Sequence, residues 1–202
     1  FKAGCSWVDL LCIPAHQMSS KGQLLNPILV AHDFIGMLDR GQTPEFTEKT
    51  EGFVWVNGIQ GGPAKCRVSL KIRDHSLKRY EEKKTLIRAI VDCLRVRYPR
   101  AKINLTIEDV YGNIADAIKP ENSACIDMLR RAMEIEHVTV KDIAMRGGTD
   151  GSFISTQGIP TPNYFTGAHN FHSACEFMPM SSWLKSLAVT LRLVELAAGV
   201  TK

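Results

Sequence analysis

Apolar residues are distributed along the chain in three patterns: short continuous runs, strict alternation and helical spacing. Each predicts an element. Residues 5–13 (CSWVDLLCI) are apolar and β-compatible and read as a strand. Across 22–38, Leu24, Ile28, Ala31, Ile35 and Leu38 recur at helical spacing, and Gly41 with Pro44 stops that helix. The polar stretch 41–51 (GQTPEFTEKTE) reads as a loop. Residues 52–59 (GFVWVNGI) and 64–73 (AKCRVSLKIR) are strands, joined as a hairpin through Gly61-Gly62-Pro63. Asp74 or Ser76 can cap a helix that runs to about Arg97, with Tyr80, Ile87, Ile90, Val91 and Leu94 inward, and Pro99 ends it. Residues 102–109 (KINLTIED) alternate as a fourth strand. The order β-α-β-β-α-β predicts a ferredoxin-like α+β domain, an antiparallel sheet with both helices on one face, closing near Asn113.

The remainder has a different pattern. Residues 121–135 form an amphipathic helix, and 138–145 (VTVKDIAM) look like a buried strand. A glycine-rich loop follows (Arg146-Gly147-Gly148-Thr149-Asp150-Gly151), then a short helix over 152–157 and a short strand over 163–166. Gly167 to His172 is a loop, and Ser182 to about Ala198 is the last helix. This α-β-α-β-α order resembles half of an α/β domain, with too few strands to fill both faces of a sheet. The expected division is therefore residues 1–113 and residues 114–202.

Composition adds limits. With 202 residues, 45% hydrophobic and 23% charged, the chain can bury a core and is neither disordered nor collagen-like. No apolar run approaches bilayer-spanning length, so no membrane is expected as a partner. Six cysteines lie far apart with no CxxC pair, and reduced thiols in a cytoplasm are expected. The first 113 residues hold 17 Lys+Arg against 12 Asp+Glu, a mild surplus. A βαββαβ domain with that charge can bind RNA, but its third strand lacks the aromatic stacking positions, so nucleic acid is not expected. The chain opens on Phe1 without an initiator Met, and a fragment or processed chain is expected.

Candidate chemistry gathers between Arg146 and Glu176, where RGGTDG, NYFTG and HNFHSACE follow one another at predicted strand ends. A glycine-rich loop lets backbone amides approach a ligand, and an Arg entering it suits a carboxylate held by two parallel hydrogen bonds. His169 and His172 belong to the residue type most used as a metal ligand. Against this, a Gly-Gly-Thr-Asp-Gly run is usually a turn, and zinc needs three or four ligands. There is no HExxH and no GxSxG elbow. Glu81-Glu82 lies among Lys78, Arg79, Lys83 and Lys84 and reads as a solvated ion-pair face, not a catalytic pair.

The run RGGTDGSFISTQGIPTPNYFTGAHNFHSACEF resembles the C-terminal signature of the peptidase T family, tripeptide aminopeptidases of the dizinc aminoacylase and carboxypeptidase superfamily. IPAHQMSSKGQLLNPI and EGFVWVNGIQGG…KIRDHSLKRYEEKK are similar to that family's lid stretch, lid hairpin and helix. The resemblance implies a lid that dimerises, followed by the C-terminal portion of an α/β zinc-peptidase catalytic domain. It implies two zinc ions per complete site, a short peptide substrate and a homodimer through the lid. His172 matches the single zinc ligand of the C-terminal segment. Arg146 matches the arginine for the substrate carboxylate, with Gly147, Gly148 and Thr149 shaping its loop. His16 matches the lid histidine that stabilises the oxyanion in a partner subunit's site; Arg73 and Asn26 match lid positions facing substrate, and Glu176 a residue behind His172. The family's other ligands precede its lid and have no counterpart in this sequence, so the chain by itself is expected to be inactive. Gln17-Met18, Pro27, Ala168 and Ser173 depart from the family pattern. The alternative is a non-catalytic dimerisation or binding module.

Overall fold

The computed structural model describes residues 2–200. They divide into two compact units: the residues up to Asn113 together with Ala144–Gly148, and Ile114–Ile143 together with the residues from Thr149 onward.

In the first unit, β1 (Lys2–Leu11), α1 (Pro27–Gly36), β2 (Phe53–Gly61), β3 (Lys65–Asp74), α2 (Leu77–Arg97) and β4 (Lys102–Tyr111) follow in the predicted order. The four strands form one antiparallel sheet, in the order β2-β3-β1-β4. Alternation dictates its two faces. On β3, Cys66, Val68, Leu70, Ile72 and Asp74 are buried, while Lys65, Arg67, Ser69, Lys71 and Arg73 point the other way. The inward set meets α1 and α2 in a core that includes Val8, Leu10, Phe34, Leu70, Ile87 and Leu94. Each such side chain contributes roughly 1.5–3 kcal/mol through burial.

The helix starts follow local rules. Asn26 caps α1, its Oδ1 accepting from Ile28 N at 3.0 Å, with Pro27 at the first helical position where no donor is needed. Ser76 caps α2. Asp74, the last residue of β3, is buried and paired: Lys83 Nζ lies 2.9 Å from Oδ2 and Arg79 Nε 3.0 Å from Oδ1, while Ser76 N donates to Oδ1.

The second unit contains α3 (Ile114–Ala117), α4 (Ala124–Ile135), α5 (Asp150–Thr156) and α6 (Met180–Ala197). Its core is small: Leu129, Ala132 and Val189, with Tyr164, Phe165 and Leu193 packed against them. The two strands expected here are not formed. Residues 138–145 and 163–166 carry no strand ladder, and Ile143 and Met145 are exposed rather than buried. A strand is defined by its neighbour, and an apolar run with no ladder partner stays irregular. Among the described residues of this unit the pairing is a single antiparallel bridge, His169 to Phe177.

Candidate functional site

One row of residues crosses the end of the sheet on the face away from the helices. Phe53 on β2 lies opposite Arg73 on β3, Arg73 opposite Ala3 on β1, and Ala3 opposite Tyr111 on β4. The segment Ala144–Gly148 belongs to this same unit. Arg73 Nη1 donates to the carbonyl oxygen of Arg146 at 2.8 Å. The Arg146 guanidinium stands over the Phe53 ring, 4.9 Å from its centroid, and that of Arg73 is 5.9 Å from the same centroid. Two cations therefore converge on one aromatic ring, an arrangement that favours an anion between or beside them.

Arg146 is anchored through neutral acceptors. Its Nη1 donates to the Thr47 carbonyl and its Nη2 to Thr47 Oγ1 at 2.5 Å. Its Nε is buried and meets no acceptor among the described residues. Gly148 comes so close to Tyr111 that a Cβ would fall on the phenol oxygen. Burial pushes the Tyr111 phenol above its usual value, while nearby Arg73 opposes that shift. Gly147 is exposed, with only Met145 near the place of a Cβ. Within this unit the loop glycines thus serve close approach at Gly148, where the backbone lies on an aromatic ring.

The other sequence-predicted residues have local duties. His16 is exposed and begins a single 3-10 turn, its Nδ1 accepting from Met18 N at 3.2 Å. Asn26 spends its Oδ1 on the α1 cap. Thr149 and His172 lie in the second unit. Thr149 Oγ1 accepts from Asn163 Nδ2 at 3.1 Å. His172 is exposed, on a backbone with φ of 63°, and its N–H donates to Glu176 Oε2 at 3.0 Å. Glu176 therefore holds the His172 backbone rather than its ring. His169 stacks on Phe177, with ring centroids 5.1 Å apart.

The structure thus brings Arg73, Arg146, Gly147 and Gly148 together within one unit and gives His16 and Asn26 separate positions in it. Sequence reasoning missed Thr47, Phe53 and Tyr111. A signal existed for two of them: Phe53 and Tyr111 are aromatic residues at strand ends, in register with Arg73. Thr47 sits in a polar loop and gave none.

Metal-binding capacity is limited. Among the described residues no three His, Cys, Asp or Glu side chains group as a metal site. One exposed imidazole, His172, suits one corner of a zinc site and does not make a site by itself.

A cavity of about 490 Å³ opens beside the same loop, lined by Gln42, Phe46, Thr47, Glu51, Arg79 and Lys83. Its cations are already committed to Asp74. Burial alone would raise the Asp74 carboxyl, but hydrogen bonds from Lys83, the Ser76 backbone and Arg79 hold it below the usual carboxylate range. The charge here is neutralised internally, unlike that around Arg146.

Comparison with known proteins covers nearly all of the chain. The family described as a peptidase dimerisation domain matches residues 12–102. A peptidase T-like protein of Yersinia pestis is 43% identical over 190 residues, which is 94% of this chain and 46% of that protein. A peptidase T of Halothermothrix orenii is 36% identical over 198 residues, 98% of this chain and 48% of that protein. The chain thus spans about half the length of the curated relatives it matches. Among solved structures, a tripeptidase from Staphylococcus aureus aligns over 98% of this chain and 52% of its own, with a TM-score of 0.73 at 20% identity. An aminopeptidase from Bacillus cereus gives 0.67 at 15% identity, again over 98% of this chain and 52% of its own. These likenesses establish the fold: a four-stranded antiparallel sheet within a mixed α/β chain.

Proposed function

The chain is a peptidase T homologue that carries a peptidase dimerisation domain, and from this we propose that it supplies the lid and a substrate-binding portion of a zinc-dependent aminopeptidase acting on tripeptides. The observation that carries the proposal is the convergence of Arg73 and Arg146 on Phe53. A tripeptide ends in a carboxylate a fixed distance from its amino end. A planar guanidinium recognises that group through two parallel hydrogen bonds, and a second cation beside it raises the local potential.

In this reading Arg146 and Arg73 hold the terminal carboxylate, and Gly147, Gly148 and Thr149 let the loop backbone approach it. Asn26 fixes the start of α1 behind the lid histidine. His172 would hold one of two zinc ions, and the remaining ligands would come from polypeptide outside these 202 residues. When bound, the metal supplies an activated water and a Lewis acid for the scissile carbonyl. This chain's own residues bind and orient. His16, exposed at the head of its turn, is free to donate to a developing oxyanion in a second subunit. Pairing of two copies through the first unit brings that about, and β2 and β4 are the sheet edges open to it. Among the described residues no helix is long and apolar enough to cross a membrane. We place the enzyme in the cytoplasm, consistent with six free cysteines.

The test is tripeptide hydrolysis by the natural gene product containing this chain, with zinc titrated in. Zinc-dependent release of the N-terminal residue is expected, lost with zinc stoichiometry in His172→Ala. Hydrolysis and zinc content untouched by that substitution would overturn the assignment. So would robust turnover by the 202-residue chain alone.

A further inference from the structure

A helix on the surface of a domain turns a polar side outward. The last helix, α6, does not. Its inner side, with Val189, Leu193 and Leu196, packs against Leu129 and Ala132 of α4 in the core of the second unit. Two contacts pin that side: Lys185 Nζ donates to the Glu136 carbonyl at 2.9 Å, and Arg192 Nε lies 3.0 Å from Glu136 Oε1. The cations of α6 are thus spent beside α4. On the opposite side Met180, Leu184, Leu187, Leu191 and Val194 follow at alternating spacings of four and three, and all five are exposed. At 3.6 residues per turn they make one continuous stripe that no charged residue interrupts. Such spacing is the seam by which a helix packs on a neighbour. The unit as a whole shows the same shortage of partners. Among the described residues its core holds three buried apolar side chains, against sixteen in the first unit, and Cys125 and Cys175 form no disulfide. So small a core does not offset the entropy of ordering the unit. Residues 138–143, strand-like in composition, have no ladder partner either.

We propose that the outer stripe of α6 is an internal packing surface: in the full-length protein it is covered by polypeptide outside these 202 residues, folded into one domain with the second unit. The length comparison names this occupant. The chain spans 46% and 48% of two peptidase T relatives, so a protein of their length carries roughly as many residues again. A second copy of this chain fits the stripe less well. The peptidase dimerisation match, residues 12–102, lies wholly in the first unit, so pairing through that domain makes no use of α6. The stripe also dictates what covers it: an uncharged face whose apolar side chains fill the gaps between Leu184, Leu187 and Leu191. This rests on the reading of the chain as part of a longer enzyme, and on neither the zinc nor the tripeptide assignment.

The experiment is photo-crosslinking of the natural gene product containing this chain, with a benzophenone amino acid in place of Leu187. Peptide mapping is expected to join that position to a peptide of the same polypeptide outside these 202 residues. Should the variant fail to fold, Val194, at the end of the stripe, takes the label instead. Hydroxyl-radical footprinting of the unaltered protein needs no variant. Met180 and Leu187 should be oxidised severalfold more slowly in the gene product than in the 202-residue chain. Crosslinks between the α6 helices of two copies would assign the stripe to self-association and overturn the proposal. Equal oxidation rates in the two proteins would show the stripe solvated in both and overturn it as well. Both readouts are independent of hydrolysis and of zinc, so loss of the proposed activity and loss of this surface are told apart. A natural gene product with no residues beyond these 202 overturns both this surface and the reading it rests on.

Discussion

Arg73 Nη1 donates to the backbone carbonyl of Arg146 at 2.8 Å, joining residues 73 positions apart. One arginine thus helps hold the backbone of another, and both face one phenyl ring. Like charges repel, so the arrangement survives because each guanidinium meets neutral oxygen or π density that costs little to desolvate. On the proposed reading, a carboxylate bound there would relieve the remaining repulsion.

Arg73→Lys is expected to weaken that support. Lysine keeps the charge but offers a point donor where the guanidinium is a rigid fork. In the active protein, KM for a tripeptide acid should rise about tenfold, roughly 1.4 kcal/mol, while kcat stays within about twofold. Steady-state kinetics on the acid and its amide separate the two. A fall in kcat with KM unchanged would place Arg73 at the chemistry instead.

Asp74→Asn should be among the most destabilising single changes in the first unit. It removes the countercharge of Lys83, whose side chain is only 10% exposed, and weakens the hold on Arg79. Leaving one partner of a buried pair uncompensated costs about 3–5 kcal/mol. The folded-state carboxyl is held below its unfolded value, so its contribution is fully present above about pH 4 and is lost as pH falls through the folded value. Urea unfolding should show a large wild-type advantage at neutral pH that shrinks in strong acid.

The first unit was largely legible because alternation and capping are local. Leu70 and Ile72 against Ser69 and Lys71 declare the two faces of β3, and Asn26-Pro27 and Ser76 declare their helices. The placement of Arg146 was not, since its partners Thr47 and Phe53 lie about a hundred positions away and no periodicity marks a contact of that span. The expected strand over 138–145 failed for the complementary reason. Val138, Val140 and Ile143 have the composition of a strand, but composition cannot provide the neighbour that a ladder needs.

Gly148→Ala should disturb the site through Tyr111. The added Cβ would land on the phenol ring, so either the Ala144–Gly148 segment or the ring must move. A loss of about 1–3 kcal/mol is expected, as for other overpacked positions. Tyr111→Ala opens the space and should make the pair non-additive, with the double variant more stable than the sum of the two single losses predicts. Additive melting data would mean that the segment simply lifts away from β4.

His75 sets an expected acid limit in a milder range. Burial pushes its imidazole below the usual value, while the Met145 and Thr50 backbone and the nearby Asp74 oppose that without cancelling it. The folded value therefore lies under the unfolded value of about 6.5. Between those two values the unfolded chain binds more protons, so stability is complete above about pH 6.5, falls as pH drops, and levels off below the folded value. Thr50 and Met145 belong to the loop before β2 and to the segment that carries Arg146, so protonation of His75 acts beside the support of that arginine. Urea midpoints for wild type should be lower at about pH 5.5 than at about pH 7.5. In His75→Asn, which keeps a donor and removes the titration, that difference should shrink. An undiminished difference would assign the loss to other groups and leave the Arg146 segment indifferent to pH in this range.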